Sequence, residues 1–288
     1  MVYHEKIMFK GNTVTYTRYG EWTDVCCLFF HGFFASSDFL PPDADGEGLC
    51  VLSFDRPGVG QSDLWGKYRM EDFFEVILKV FEEHSVLGVH VAGHSAGGYY
   101  SQVFAQLYPD ITRSVTLLST LPPLNCDETE PLMTKDLRKR RFFTNKLRPV
   151  ARLYFLITAD VLNRKLEMVI NDRIELMAPF EQEMYRKHRD VYKNAILMSA
   201  TKKGKGAYYD AIALFERRPH PDIRSDIPVY IWNGGEDQTT TVRFAQCLKE
   251  KYNACKIHII PEGTHMMFFA VWHEAMAEAI GERRGYDQ

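Results

Sequence analysis

The sequence has no Cys-x-x-Cys pair, and its six cysteines, Cys26, Cys27, Cys50, Cys126, Cys247 and Cys255, are scattered along the chain. That spacing offers neither a metal-binding nor a redox framework, so reduced thiols, several of them buried, are expected, with no metal and no cofactor. Also missing is any apolar run long enough to span a bilayer. The start, Met1-Val2-Tyr3-His4-Glu5-Lys6, lacks the basic residues and apolar core of an export signal. The expected location is the cytoplasm, without membrane insertion. Charge imbalance is small as well: a formal net charge of −3 does not, as an overall balance, draw the chain toward nucleic acid or an anionic membrane surface. Internal repeats and low-complexity segments are absent. What is present is 45% hydrophobic and 25% charged over 288 residues, enough apolar side chain for a sizeable core and too much for disorder.

Short apolar runs rich in β-branched and aromatic residues, bounded by Gly, Pro and Asp, read as buried strands at Cys26–Phe30, Cys50–Phe54, Val89–Ala92 and Ser114–Leu118. Helical patterns fall between them, clearest at Met70–His84 and Ala96–Tyr108, an alternation that predicts a parallel sheet with helical crossovers. From about Leu121 to Pro221 the pattern changes to successive helices, Leu132–Leu147, Ala151–Ile170, Glu181–Ser199 and Ala207–Arg217, with apolar residues three and four apart. Strand character returns at Val229–Trp232 and Lys256–Ile260, with helices near Val242–Tyr252 and Met266–Ile280. The reading is an α/β domain formed by residues 1–120 and 222–288, interrupted by a helical insertion over 121–221.

The chemistry is concentrated in Gly93-His94-Ser95-Ala96-Gly97-Gly98, which joins the strand Val89–Ala92 to the helix that follows. A hydroxyl becomes a useful nucleophile only when a base removes its proton and a further acceptor holds that base in one tautomer. A sharp strand-to-helix turn exposes Ser95, the glycines let the turn close, and the helix N-terminus beyond it supplies amide donors. His265, in Pro261-Glu262-Gly263-Thr264-His265, follows a strand and precedes a helix and is the candidate base. His258 sits within a strand, while His94 is read as a packing residue and His31 as holding its loop in shape. For the acceptor, Glu236 and Asp237 both follow Val229–Trp232, whereas Asp222 and Asp226 precede that strand and fall at its opposite end.

His31-Gly32-Phe33, Asp55-Arg56-Pro57-Gly58-Val59-Gly60-Gln61-Ser62, the Ser95 turn and the chain order Ser, Asp, His together resemble the α/β-hydrolase superfamily, in its serine-nucleophile branch with a helical cap. The resemblance covers nearly the whole chain outside the insertion. It implies a mostly parallel sheet flanked by helices, Asp237 rather than Glu236 as the acid, and an oxyanion hole formed by the backbone amides of Phe33 and Ala96. It also implies a small-molecule substrate that acylates Ser95. A carboxylic ester of small or medium, largely apolar character leads. A C–C bond or amide hydrolase with the same triad, and a small-molecule receptor on this scaffold, are the alternatives.

The insertion is read as a lid, because both its ends attach beside strands that carry the site. Its aromatics and methionines, such as Phe142, Tyr154, Phe155 and Met184, are expected to form mostly the lid's own core. In the basic stretch Lys135–Arg148, Leu137, Phe143 and Leu147 are expected to form one buried stripe opposite a solvated charged face. Gly58-Val59-Gly60 does not continue as a dinucleotide-binding loop, since position 63 is Asp.

Overall fold

In a computed structural model, residues 1–281 are described apart from 47, 125, 126, 175 and 176. Cys126 therefore lies outside the described residues, and the other five cysteines are free thiols. The chain opens with two strands absent from the sequence reading, β1 (Val2–Phe9) and β2 (Asn12–Tyr19). They form a hairpin whose two-residue turn, Lys10-Gly11, has positive φ at both positions, the geometry that matches strand twist. An apolar-run criterion misses β1 because this edge strand buries only Ile7.

Strands β3 (Cys26–Phe30) and β4 (Cys50–Phe54) follow, then helix α1 (Met70–Glu83), strand β5 (Val89–His94), helix α2 (Ala96–Leu107) and strand β6 (Thr112–Leu118). The chain next leaves the sheet for helices α3 (Lys135–Lys146), α4 (Arg148–Ile174), α5 (Pro179–Lys187), α6 (Arg189–Ser199) and α7 (Lys205–Leu214). It returns through β7 (Val229–Gly234), α8 (Val242–Lys251), β8 (Cys255–Ile260) and α9 (Phe268–Gly281). The single helix expected over 181–199 is two, because His188 leaves helical geometry and its ring stacks 4.6 Å from Phe269.

The eight strands lie in the order β1-β2-β4-β3-β5-β6-β7-β8, with β3 through β8 parallel and β2 antiparallel to both its neighbours. Every residue of β3 is buried. Cys26, Leu28 and Phe30 join the core built with α1 and α2, whereas Cys27 and Phe29 join the opposite core with α9. A strand covered on both faces has to be apolar throughout, which is why it was legible as an unbroken run.

The helices between β6 and β7 pack on the loops that leave the carboxyl ends of β3 and β4. Phe155 of α4 meets Phe33 and Phe34 at ring distances of 6.0 and 5.9 Å, and Tyr192 of α6 meets Phe39 at 5.3 Å. At the head of α7 the approach is closer still: a Cβ on Gly206 would fall 2.3 Å from the carbonyl oxygen of Gly58.

Candidate active site

Ser95 occupies the turn between β5 and α2 with φ 54° and ψ −121°, a strained backbone for a non-glycine residue. The turn is held from both sides, by Ser95 N–H donating to Leu118 O at 3.0 Å and Leu121 N–H donating to Ser95 O at 3.0 Å. Its glycines are required by space: a Cβ on Gly97 would lie 1.9 Å from Phe30 O, and one on Gly98 would lie 2.1 Å from Thr120 Oγ1.

Asp237 follows β7 and His265 follows β8, so neighbouring parallel strands deliver the two side chains to one edge of the sheet. His265 Nδ1 lies 2.9 Å from Asp237 Oδ2. The other carboxylate oxygen, Oδ1, accepts from the amides of Thr239 (2.7 Å) and Thr240 (2.8 Å), and the Thr240 hydroxyl donates to Oδ2. Burial alone would raise the Asp237 pKa. His265 and the Thr240 hydrogen bonds overcome it and hold the carboxyl at about 2, so it is ionised. Burial likewise works against a charged His265, yet Asp237 lifts its pKa above the usual imidazole value. Glu236, the competing acid in the sequence, is exposed.

The residue before Ser95, His94, is the one that contacts His265. The His94 ring lies 4.8 Å from that of His265, stacks 4.3 Å from Phe268, and its Nε2 donates to the His265 carbonyl at 2.9 Å. Burial, with His265 nearby, depresses the His94 pKa to about 3, so its imidazole stays neutral. Among the described residues no hydrogen bond joins Ser95 Oγ to His265. His258 lies elsewhere, stacked 4.0 Å from Trp232 on β7 and paired with Glu278.

The loop after β3 lies against the turn: a Cβ on Gly32 would fall 3.4 Å from Ser95 Cβ. Neither the Phe33 nor the Ala96 amide has an acceptor among the described residues. Arg56 fixes this loop from beneath, donating to the carbonyls of His31 (2.8 Å) and Gly32 (2.6 Å). It also meets Asp210 of α7 at 3.0 Å, and Asp210 accepts from Tyr100 at 2.7 Å. Arg56 and Asp210 are almost wholly buried. Asp210→Ala is expected to lower stability by about 3 kcal/mol in denaturant titration, because it leaves a buried guanidinium without its counter-charge. Asp210→Asn, which keeps an acceptor, should lose less.

Sequence reasoning missed Thr240, Asp210 and the half-buried Glu181 of α5. Burial raises the Glu181 pKa, and the carboxyl is close enough to feel His265 and Asp237. Thr240, three residues beyond Asp237, carried a weak local signal, since that spacing lets a hydroxyl and two amides fold back on one carboxylate. Asp210 carried none, because its partner is 154 positions away in sequence.

A family model for the alpha/beta hydrolase fold matches residues 28–270. The chain is 30% identical over 165 residues, 54% of its length, to the dihydrolipoyllysine-residue acetyltransferase component of the acetoin cleaving system of Cupriavidus necator; the match spans only 41% of that relative. Among solved structures it resembles a carboxylesterase of Nitrososphaera gargenis, with 16% identity, coverage of 97% and 98% of the two chains and a TM-score of 0.68. It also resembles an esterase of Thermogutta terrifontis, with 17% identity, coverage of 98% of each chain and a TM-score of 0.67.

Proposed function

The chain belongs to the alpha/beta hydrolase fold family, and from that premise we propose that it is a serine hydrolase that cleaves carboxylic esters of small or medium, largely apolar compounds. The observation that carries the proposal is the Asp237–His265 pair, 2.9 Å apart, at the same sheet edge as a serine held in a strained turn. Packing alone does not require a buried ionised carboxylate, an imidazole bonded to it and a strained serine at one sheet edge. Acyl transfer requires all three.

In this reading His265 takes the Ser95 hydroxyl proton as Oγ attacks the ester carbonyl, and Asp237 stabilises the imidazolium. The amides of Phe33 and Ala96 bind the tetrahedral oxyanion, each contributing about 3 kcal/mol to transition-state stabilisation. Collapse passes the proton to the departing alcohol and leaves an acyl-Ser95. Water, deprotonated by His265, then releases the acid and restores the hydroxyl. Residues 121–221 act as the cap that closes the acyl site, supported by the packing of Phe155 on Phe33 and Phe34 and of Tyr192 on Phe39.

Esterase chemistry in the structural relatives favours esters over amides and C–C bonds. A series of chromogenic p-nitrophenyl esters of increasing acyl length tests the proposal. Turnover with an optimum at short or medium chains is the expected result. Tight binding of such esters with negligible turnover would favour a receptor instead.

A further inference from the structure

Helix α4 is apolar on two opposite faces. Ala151, Phe155, Ala159, Leu166 and Ile170 are buried against the rest of the protein. The other face presents Leu147, just before the helix, and then Val150, Leu153, Tyr154, Ile157 and Val161, spaced three, four and seven apart and each between 37% and 55% exposed. More than half of all exposed large apolar side chains among the described residues fall between Phe142 and Met168. The expected buried stripe of the preceding segment is correspondingly incomplete, with Leu137 buried but Leu147 open, and Phe142 and Tyr154 lie outside the helical core. A contiguous apolar surface of this kind marks a place where something docks.

The charge around it is one-sided. Helices α3 and α4 carry eleven Lys and Arg against four Asp and Glu, in a chain whose net charge is −3. Two of the acidic residues on α4 are already neutralised, Asp160 by Arg164 and Glu167 by Arg189 and Lys193. Beside Leu153 and Leu156 runs a groove of about 620 Å³ lined also by Arg148, Arg152, Lys203 and Lys205. None of these four cations has an acidic partner among the described residues. Lys203 is presented by a left-handed turn in which Lys202, Lys203 and Gly204 all have positive φ.

We infer that this face of α4 docks on the surface of an anionic lipid bilayer, with its aliphatic side chains in the acyl boundary and Arg148, Arg152, Lys203 and Lys205 on the phosphates. A second copy of the chain is disfavoured, because symmetric pairing would set this basic rim against itself. Hydrocarbon between phosphate-binding cations is the chemistry of a lipid surface, and basic residues near one contribute about five-fold each to partitioning. A net charge of −3 averages this patch with an acidic remainder and so conceals it. The same helix meets Phe33 through Phe155 on its buried side, so the docked face lies one helix thickness from the candidate active site.

The test is co-sedimentation of the full chain with vesicles of phosphatidylcholine alone and of phosphatidylcholine mixed with phosphatidylglycerol. Binding is expected only to the anionic vesicles at low ionic strength, weakening at about 1 M salt, where the screening length falls to about 3 Å. Ile157→Glu and the pair Arg152→Glu/Lys203→Glu should each reduce binding by about ten-fold or more, with unchanged circular dichroism, since these side chains are solvent-facing. Ser95→Ala should bind as the unaltered protein does, separating docking from catalysis. Protein that stays in the supernatant with anionic vesicles, or binding insensitive to these substitutions, overturns the inference. So does a dimer in sedimentation velocity that Ile157→Glu dissolves while lipid binding is absent, which would assign the face to a second copy.

Discussion

Ser95→Ala is expected to lower kcat on the best p-nitrophenyl ester by about a million-fold, to the level set by binding and the oxyanion donors alone. Fluorophosphonate labelling should vanish with it, and in the unaltered protein mass spectrometry should place the adduct on Ser95. The fold should survive the change, because Ser95 Oγ has no hydrogen-bond partner among the described residues and alanine keeps the same Cβ. Ser95→Gly makes a sharper control. At φ 54° and ψ −121° a side chain is strained and glycine is not, so this variant should be equally inactive yet more stable by about 1 kcal/mol. Loss of activity with a gain in stability marks a serine kept for chemistry at the expense of the fold. Turnover that persists in both variants would remove Ser95 from the mechanism.

The sheet and the turn were legible because local sequence and global structure agree there. β3 is buried on both faces and had to be an unbroken apolar run; Gly97 and Gly98 had to be glycine because backbone and Thr120 occupy the space a side chain would need. The β1–β2 hairpin was not legible as an apolar run, since its only strong local signal was the Lys10-Gly11 turn. His265 could be nominated from its position after a strand, and Asp237 over Glu236 from the family resemblance, but their contact depends on the parallel pairing of β7 with β8. Arg56 and Asp210 meet only when α7 is set down on the loop after β4, a long-range event that no window of sequence contains. The open face of α4 was concealed differently. Periodicity reports that a helix has an apolar face, but α4 has two, and only the packed structure tells which one is covered.

Asp237→Asn is expected to cost about 10⁴-fold in kcat while leaving the loop in place. The geometry determines why. Asp237 Oδ1 accepts from two backbone amides, of Thr239 and Thr240, and an amide nitrogen cannot take that position. The Asn oxygen must therefore sit there, which turns its NH₂ toward His265 Nδ1. A donor facing Nδ1 makes that nitrogen the acceptor and moves the imidazole proton to Nε2, the atom that should receive the Ser95 proton. The pH profile should change as well. Neutral His265 is the active form, so in the unaltered protein kcat/KM is lost as pH falls through a pKa that Asp237 holds above the usual imidazole value. With asparagine the largest raising influence is gone while burial still opposes the charged ring, so the residual activity should persist to lower pH. A pH–rate profile of the variant measures this directly. A large loss of rate with an unshifted acid limb would mean that Asp237 serves the loop and not the base.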